Sequence, residues 1–281
     1  IIKVDGIGDL SREVFGPVLH VATFGSHEIR KIVSDINASE YGLTFGLHTR
    51  IDDRVEYVTS ALNVGNIYVN RNQIGAIVGS QPFGGEGLSG TGPKAGGPNY
   101  VKLFTPLLTL GHRTADQLHA DPEHVQAALD QISRPSREAL SETELPGPTG
   151  ESNRLSVFGR GTVLCLGPTV EDARAQAEIA AQCGCKFLMV AAGCEGVHAI
   201  SDHLERGQLT SLAGIDVVAL WSDDEDLRQA RIALAARKGP IIPLACGKDM
   251  DSYCVMERHV CVDTTAAGGN ASLLESVSIL D

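Results

Sequence analysis

The chain predicts an α/β fold in two parts, and three observations carry that prediction. Short apolar runs alternate with helical stretches from Ile1 to Val69, and the alternation resumes from Leu155 to Val262. A polar stretch with three prolines, residues 133–153, divides the two parts as a linker or surface loop. The 281 residues match a length of roughly two domains.

In the first part, Ile1–Val4 and Val18–Phe24 read as strands, separated by the turn Glu13-Val14-Phe15-Gly16-Pro17. Ser26 is the expected cap of a helix that sets Ile29, Ile32, Val33 and Ile36 on one face. Leu43–His48 reads as a third strand. Asp52–Leu62 reads as a second helix, with Val55, Val58, Ala61 and Leu62 as its apolar side. Gly65 breaks it before the strand Asn66–Val69.

In the second part, residues 119–133 predict a helix opened by Asp121-Pro122. Leu155–Val157 and Thr162–Leu166 read as strands, then Glu171–Cys183 as a helix and Lys186–Ala192 as a buried strand. Val197–Leu204 reads as helical, Asp216–Trp221 as a strand, and Asp223–Lys238 as a helix started by its own acidic residues. Ile241–Ala245 and His259–Val262 complete a second doubly wound unit.

Composition excludes some functions. A net charge of −12 argues against a nucleic-acid surface, which needs clustered Lys and Arg. No window approaches the run of about 20 apolar residues that a spanning helix needs. The N-terminus, IIKVDGIGDL, lacks the basic and apolar regions of a signal peptide and reads as a strand that starts abruptly, as in a piece of a longer chain. All seven cysteines follow residue 160; their odd number and several strand contexts predict buried, reduced thiols in a cytosolic protein. Cys183, Cys185 and Cys194 suggest a metal site only weakly, because no second pair with zinc spacing follows.

Two features could carry chemistry. The stretch Asn70–Tyr100 is rich in glycine, which is costly to order and so points to tight turns or close approach to a ligand. Ile74, Ile77, Val78, Phe83 and Leu88 give it apolar anchors that flexible linkers lack. Phe83 suits a pocket wall and a core plug equally well. Glu13 and Phe15 form the other feature: a loop carboxylate can accept hydrogen bonds from a ribose diol, and an aromatic can pack on a flat ring. A solvated Glu and a core Phe are the plainer alternative. In the second part Gly159-Arg160-Gly161 precedes a strand, and Gly167-Pro168-Thr169 holds one glycine between strand and helix. Neither meets the context of a dinucleotide-binding loop.

The stretches EVFGPVLHV, NVGNIYVNRN and QPFGGEGLSGTGPKAGGP resemble the C-terminal part of the aldehyde dehydrogenase fold. The longer run IGAIVGSQPFGGEGLSGTGPKAGGP is similar to L-glutamate γ-semialdehyde dehydrogenase, in the form fused within bacterial proline utilization A. The resemblance implies that Glu13 and Phe15 contact the nicotinamide ribose and ring of NAD. It implies that Gly75 and Ala76 anchor the substrate α-carboxylate through backbone N–H groups, as an anion nest would, and that Phe83 packs on the aliphatic part of the substrate. In that family a cysteine forms a thiohemiacetal with the aldehyde, and a glutamate activates water for thioester hydrolysis. Both lie upstream of the E-x-F-G-P motif, so this chain is expected to lack them and to be the C-terminal portion of a longer polypeptide.

The ending DTTAAGGNAS resembles the longer members of the same group. Those members carry an extra, non-catalytic, aldehyde-dehydrogenase-like domain tied to assembly and to covering the tunnel between two active sites. The implied organisation is residues 1–105 as the end of the catalytic module, 106–154 as helix and linker, 155–262 as a Rossmann-like α/β domain, and 263–281 as a docking tail. The implied partners are glutamate semialdehyde, the upstream modules of the same polypeptide, including an FAD-bearing proline dehydrogenase, and further copies of the chain. Peripheral membrane association of the parent and a bacterial cytoplasmic location are also implied. The alternative is a scaffold or oligomerisation fragment with no enzymatic role.

Overall fold

The computed structural model describes residues 1–73, 76–104, 119–133, 138–247 and 249–265. Strand β1 (Ile2–Lys3) pairs in parallel with β2 (His20–Val21), both far shorter than their apolar runs suggest. A 3-10 turn, Ser26–Glu28, leads into helix α1 (Ile29–Ala38). Ser26 is not its cap: Glu28 reaches back to the Gly25 N–H at 2.6 Å. Strands β3 (Tyr41–Gly42) and β4 (Thr44–Leu47), helix α2 (Asp52–Ala61), strand β5 (Asn66–Val69) and the short β6 (Glu86–Gly87) follow. α1 and α2 cover one face of β5, where Val33, Val58, Leu62, Val64, Ile67 and Val69 are buried. The helical spacing read from the sequence therefore faces the sheet as expected.

Helix α3 (Pro122–Asp130) is capped by Asp121, whose carboxylate accepts from the Glu123 N–H at 3.0 Å. The stretch read as a linker is structured in its described residues. β7 (Ser141–Leu145) and β8 (Glu151–Gly159) form an antiparallel hairpin in which Leu145 pairs with Asn153. Its polar composition reflects an edge strand, since β7 is mostly exposed and carries Glu142 and Glu144.

After β8 come β9 (Thr162–Cys165), α4 (Val170–Gln182), β10 (Lys186–Val190), β11 (Ala199–Ile200), β12 (Val217–Ala219), α5 (Asp224–Ala235) and β13 (Leu244–Ala245). These five strands make an all-parallel sheet in the order β11-β10-β9-β12-β13, the 3-2-1-4-5 order of a doubly wound fold. α3 and α5 pack on one face through Val125, Leu129, Leu227 and Ala230; α4 packs on the other through Ala177 and Ala180. Residues 197–204 are not a helix. Ala199 and Ile200 add an edge strand to β10, and pairing with an existing sheet outweighs a weak local helical pattern.

The chain closes with α6 (Asp251–Cys254) and β14 (Val255–Asp263). The sequence places this last strand in the second sheet. It lies in the first, between β5 and β8, giving a mixed five-stranded sheet in the order β4-β5-β14-β8-β7. β14 runs parallel to β5, with His259 opposite Asn66 and Val262 opposite Val69, and antiparallel to β8 over its full length. Val260 of β14 is buried in the core beneath α1 and α2. Backbone pairing thus makes one sheet from strands roughly two hundred positions apart. Among the described residues, no helix is long and apolar enough to cross a membrane.

Candidate functional site

The glycine-rich stretch folds against the mixed sheet, on the face opposite α1 and α2. Asn66, at the start of β5, is fully buried there. Its side-chain amide donates to Pro82 O at 2.7 Å, and its carbonyl oxygen accepts from the Gly84 N–H at 3.1 Å. It brackets Phe83. On its other side Phe83 pairs with Ala95, each donating its N–H to the other's carbonyl, at 3.0 and 2.8 Å. One rung further, the Gly79 N–H donates to Gly96 O at 3.1 Å. Residues 77–83 and 94–96 therefore form an irregular ladder rather than a loose connection.

Lys94 locks this ladder from below. Its side chain is 2% exposed, and its ammonium donates to Gly84 O at 2.5 Å and Asn66 Oδ1 at 3.2 Å. Burial brings its pKa down to about 8, a fall that Glu86 and Glu257 partly oppose. Glu86 is also buried; its carboxyl is pushed up by burial and held back chiefly by Arg258, 3.5 Å away. Gly65 admits this packing because a Cβ there would strike Gly84 O and come within 2.7 Å of the Lys94 ammonium.

The second part of the chain grips the same ladder. Glu257 of β14 accepts from the Lys94 N–H at 2.7 Å and from the Asn99 side-chain amide at 2.5 Å. Arg160 donates to Thr91 O at 2.5 Å and to Val255 O at 2.8 Å. Glu151 of β8 accepts from Gln81 at 2.8 Å and Arg71 at 2.6 Å. His259 sits fully buried among these groups, and burial depresses its pKa to about 4, with the Lys94 charge acting in the same direction. Both its ring nitrogens, Gln81 Oε1 and Asn153 Oδ1 lack a partner of ordinary hydrogen-bond geometry, although the Ser80 backbone lies near the ring.

The sequence-predicted site residues are distributed unevenly. Phe83 is half-buried in the ladder; Ala76 is exposed at its mouth; Gly75 lies outside the described residues. Ile77 and Val78 do not anchor the stretch, being 52% and 86% exposed. Glu13 and Phe15 stand on the separate N-terminal segment beside β2, and no hydrogen bond or ion pair among the described residues ties either to the ladder. Glu13 is exposed and Phe15 is 85% exposed, next to Gly16 at a φ of +107°. A free carboxylate and an open ring face fit a sugar diol and a flat heterocycle; Phe15 is not a core residue.

Sequence reasoning missed Asn66, Lys94, Glu151 and Glu257. One signal was present: NIYV opens a fully buried strand with an amide, and VMERHVCVD places three charged or titratable residues inside an apolar run. Buried polar side chains need partners, so such residues mark a built interface.

The second sheet offers a different picture at its switch point between β9 and β12. Gln176 of α4 accepts from the Gly167 N–H at 3.1 Å and donates to Gly167 O at 2.8 Å, saturating the turn where a phosphate would meet main-chain donors. Thr169 caps α4 in a reciprocal pair with Asp172, and Asp223, Asp224, Glu225 and Asp226 crowd the start of α5. Both helix N-termini are already supplied with acceptors. No group of three or more His, Cys, Asp or Glu among the described residues has the arrangement of a metal site. All seven cysteines are free, and all but the half-buried Cys183 are buried; for Cys165, Cys246 and Cys261 this is what their strand contexts predict.

Residues 10–109 match the profile of the Aldehyde dehydrogenase family. Over nearly its whole length the chain is also similar to bifunctional protein PutA of Escherichia coli (strain K12), at 39% identity over 98% of this chain and 24% of that protein. PutA of Rhizobium meliloti is 37% identical over 98% of this chain and 25% of its own length. A 1-pyrroline-5-carboxylate dehydrogenase of Bacillus pumilus is 42% identical over 36% of this chain and 19% of that protein. A solved structure of proline utilization A from Corynebacterium freiburgense matches with a TM-score of 0.59 at 23% identity, over 92% of this chain and 26% of that one, which supports the fold alone. The chain spans about a quarter of the length of the PutA relatives it matches, and the match falls on their C-terminal quarter. The ladder and the exposed Glu13–Phe15 pair both lie in the segment that matches the aldehyde dehydrogenase profile.

Proposed function

We propose that this chain supplies the substrate-anchoring loop and the nicotinamide contacts of an NAD-dependent L-glutamate γ-semialdehyde dehydrogenase within a bifunctional proline catabolic enzyme. The observation that carries the reading is the ladder around Phe83. Its backbone is fixed on both sides by Asn66 and Ala95, while Phe83 stays half-buried and Ala76 stays open. Rigid backbone beside an accessible aromatic is what holding a short carboxylated aldehyde requires. Gly75 and Ala76 would bind the α-carboxylate, and Phe83 would wall the methylene chain. Glu13 and Phe15 fit NAD through the ribose diol and the ring. When bound, NAD would supply the hydride acceptor; the residues of this chain hold and orient.

The nucleophilic cysteine and the general base are assigned to residues outside this chain. Every cysteine here lies in the second part; among them Cys165 is fully buried, with a thiol pushed up by desolvation. FAD is assigned to a proline dehydrogenase module outside the chain. Residues 155–262 would serve assembly and closure of the path between the two active sites; in support, β14 completes the sheet that carries the substrate ladder. A docking role for the tail, residues 263–281, is part of the same proposal and falls mostly outside the described residues. The proposed setting is the bacterial cytoplasm, as an oligomer; peripheral membrane association would belong to the parent protein.

The test is kinetic. The isolated 281-residue chain should oxidise no aldehyde. In the full-length enzyme, Ala76→Val should raise the Michaelis constant for the semialdehyde; an unchanged constant would remove the anchor role.

A further inference from the structure

We infer that Glu257, on the last strand of the chain, is a positioning residue for substrate selection by the ladder around Phe83. The inference rests on the reading of that ladder as the substrate loop.

Glu257 is 6% exposed, and its two carboxylate oxygens are used separately. One accepts from the Lys94 N–H at 2.7 Å; the other accepts from the Asn99 side chain at 2.5 Å. These two donors flank the segment Ala95–Gly97. Within it, Ala95 exchanges two backbone hydrogen bonds with Phe83, and Gly96 O receives the Gly79 N–H. Glu257 therefore fixes the Lys94–Asn99 side of the ladder at both ends, and that side meets Phe83 on one rung and Gly79, in the turn after Ala76, on the next. The fixation is directional. A carboxylate accepts from both donors, and no neutral side chain of the same size can do so. A Lys94 N–H left without its acceptor would also be a buried, unsatisfied donor, so the ladder would shift to satisfy it.

Nothing in Glu257 touches the open side of the ladder. Its influence passes through backbone, which predicts an effect on how the substrate is held and not on the chemistry itself. A substrate with an α-carboxylate uses the whole ladder. A short aldehyde without a carboxylate uses little of it.

The experiment is steady-state NADH formation by the full-length enzyme with glutamate γ-semialdehyde and with propanal. Glu257→Gln keeps the size and puts an amide donor against Lys94 or Asn99. It should raise KM for the semialdehyde about tenfold relative to KM for propanal, with kcat for the semialdehyde changed less than KM. The double variant Glu257→Gln with Asn99→Asp exchanges donor and acceptor across the pair and should recover most of that loss. Should the glutamine variant fold poorly, Glu257→Asp, which retains charge with a shorter reach, should give a smaller shift of the same sign. If KM for both aldehydes stays level, or both rise together without rescue by Asn99→Asp, Glu257 is only structural and the inference is overturned. A wild-type preference for the semialdehyde over propanal would in that case leave the substrate-loop reading standing. If the wild-type enzyme shows no such preference, the loop reading falls and the inference falls with it.

Discussion

Asn66 holds the backbone on both sides of Phe83. One side-chain amide donates to Pro82 O and accepts from the Gly84 N–H, so the backbone that carries the aromatic between them cannot shift without breaking two hydrogen bonds. The same oxygen also receives the Lys94 ammonium, which ties strand β5, the Phe83 turn and the Lys94 strand to one side chain. Asn66→Leu keeps the branching and the heavy-atom count and removes all three bonds. It should destabilise the chain by about 3 kcal/mol, since it leaves a buried carbonyl and N–H unpaired and weakens the hold on a buried ammonium. The check is the denaturant midpoint, and a change below about 0.5 kcal/mol would show that the ladder is held elsewhere.

Gly65→Ala should be severe for a different reason. The added methyl would collide with Gly84 O and approach the Lys94 ammonium to 2.7 Å, and one of these neighbours is backbone with no room to retreat. The expected result is a lower melting temperature together with faster proteolysis within residues 76–104. Unaltered protease resistance of that stretch would count against the close packing of β5 on the ladder.

Phe83→Ala tests the pocket wall. In the full-length enzyme it should reduce discrimination between the semialdehyde and shorter aldehydes by about 1–3 kcal/mol, the range for losing an apolar wall. Because Phe83 is half-buried and its backbone is held by Asn66 and Ala95, the fold should survive the change. Equal loss for all aldehydes would mean that the side chain is structural.

His259 predicts a pH dependence of stability. Its folded pKa, about 4, lies below the ordinary 6.5, so the unfolded chain takes up a proton more readily than the folded one. The contribution is fully present above pH 6.5 and is lost as pH falls from there through about 4, to a limit of about 3 kcal/mol. Urea unfolding of wild type and His259→Gln at pH 7 and pH 4.5 checks it, with the wild type expected to lose more. Parallel curves for the two proteins would place the acid sensitivity in other groups.

Much of the local structure was legible in the residues. The helices at 29–38, 52–61, 170–182 and 224–235 follow from apolar spacing, the last also from its acidic start, because these are properties of the nearest neighbours in sequence. The glycine-rich run from Asn70 to Tyr100 was likewise recognisable as more than a flexible linker, and its described residues are hydrogen-bonded to one another and to the sheet. The pairing of β14 was not legible. VMERHVCVD reads as the next strand of the second unit, and its placement beside β5 depends on register matches such as His259 with Asn66, which only the folded backbone brings together.

The sequence by itself determined the α/β class, the resemblance of residues 10–109 to the aldehyde dehydrogenase profile and the candidate loop, since periodicity, turn chemistry and motif are written in consecutive residues. The tertiary structure alone decided that Glu151, Arg160 and Glu257 grip that loop from the other part of the chain. It also turned a stretch read as a linker into the hairpin that flanks them. The physical reason is the demand of buried polar groups for partners. Lys94 and Asn66 cannot be buried unless acceptors and donors meet them, and those groups arrive from strands that no local pattern joins.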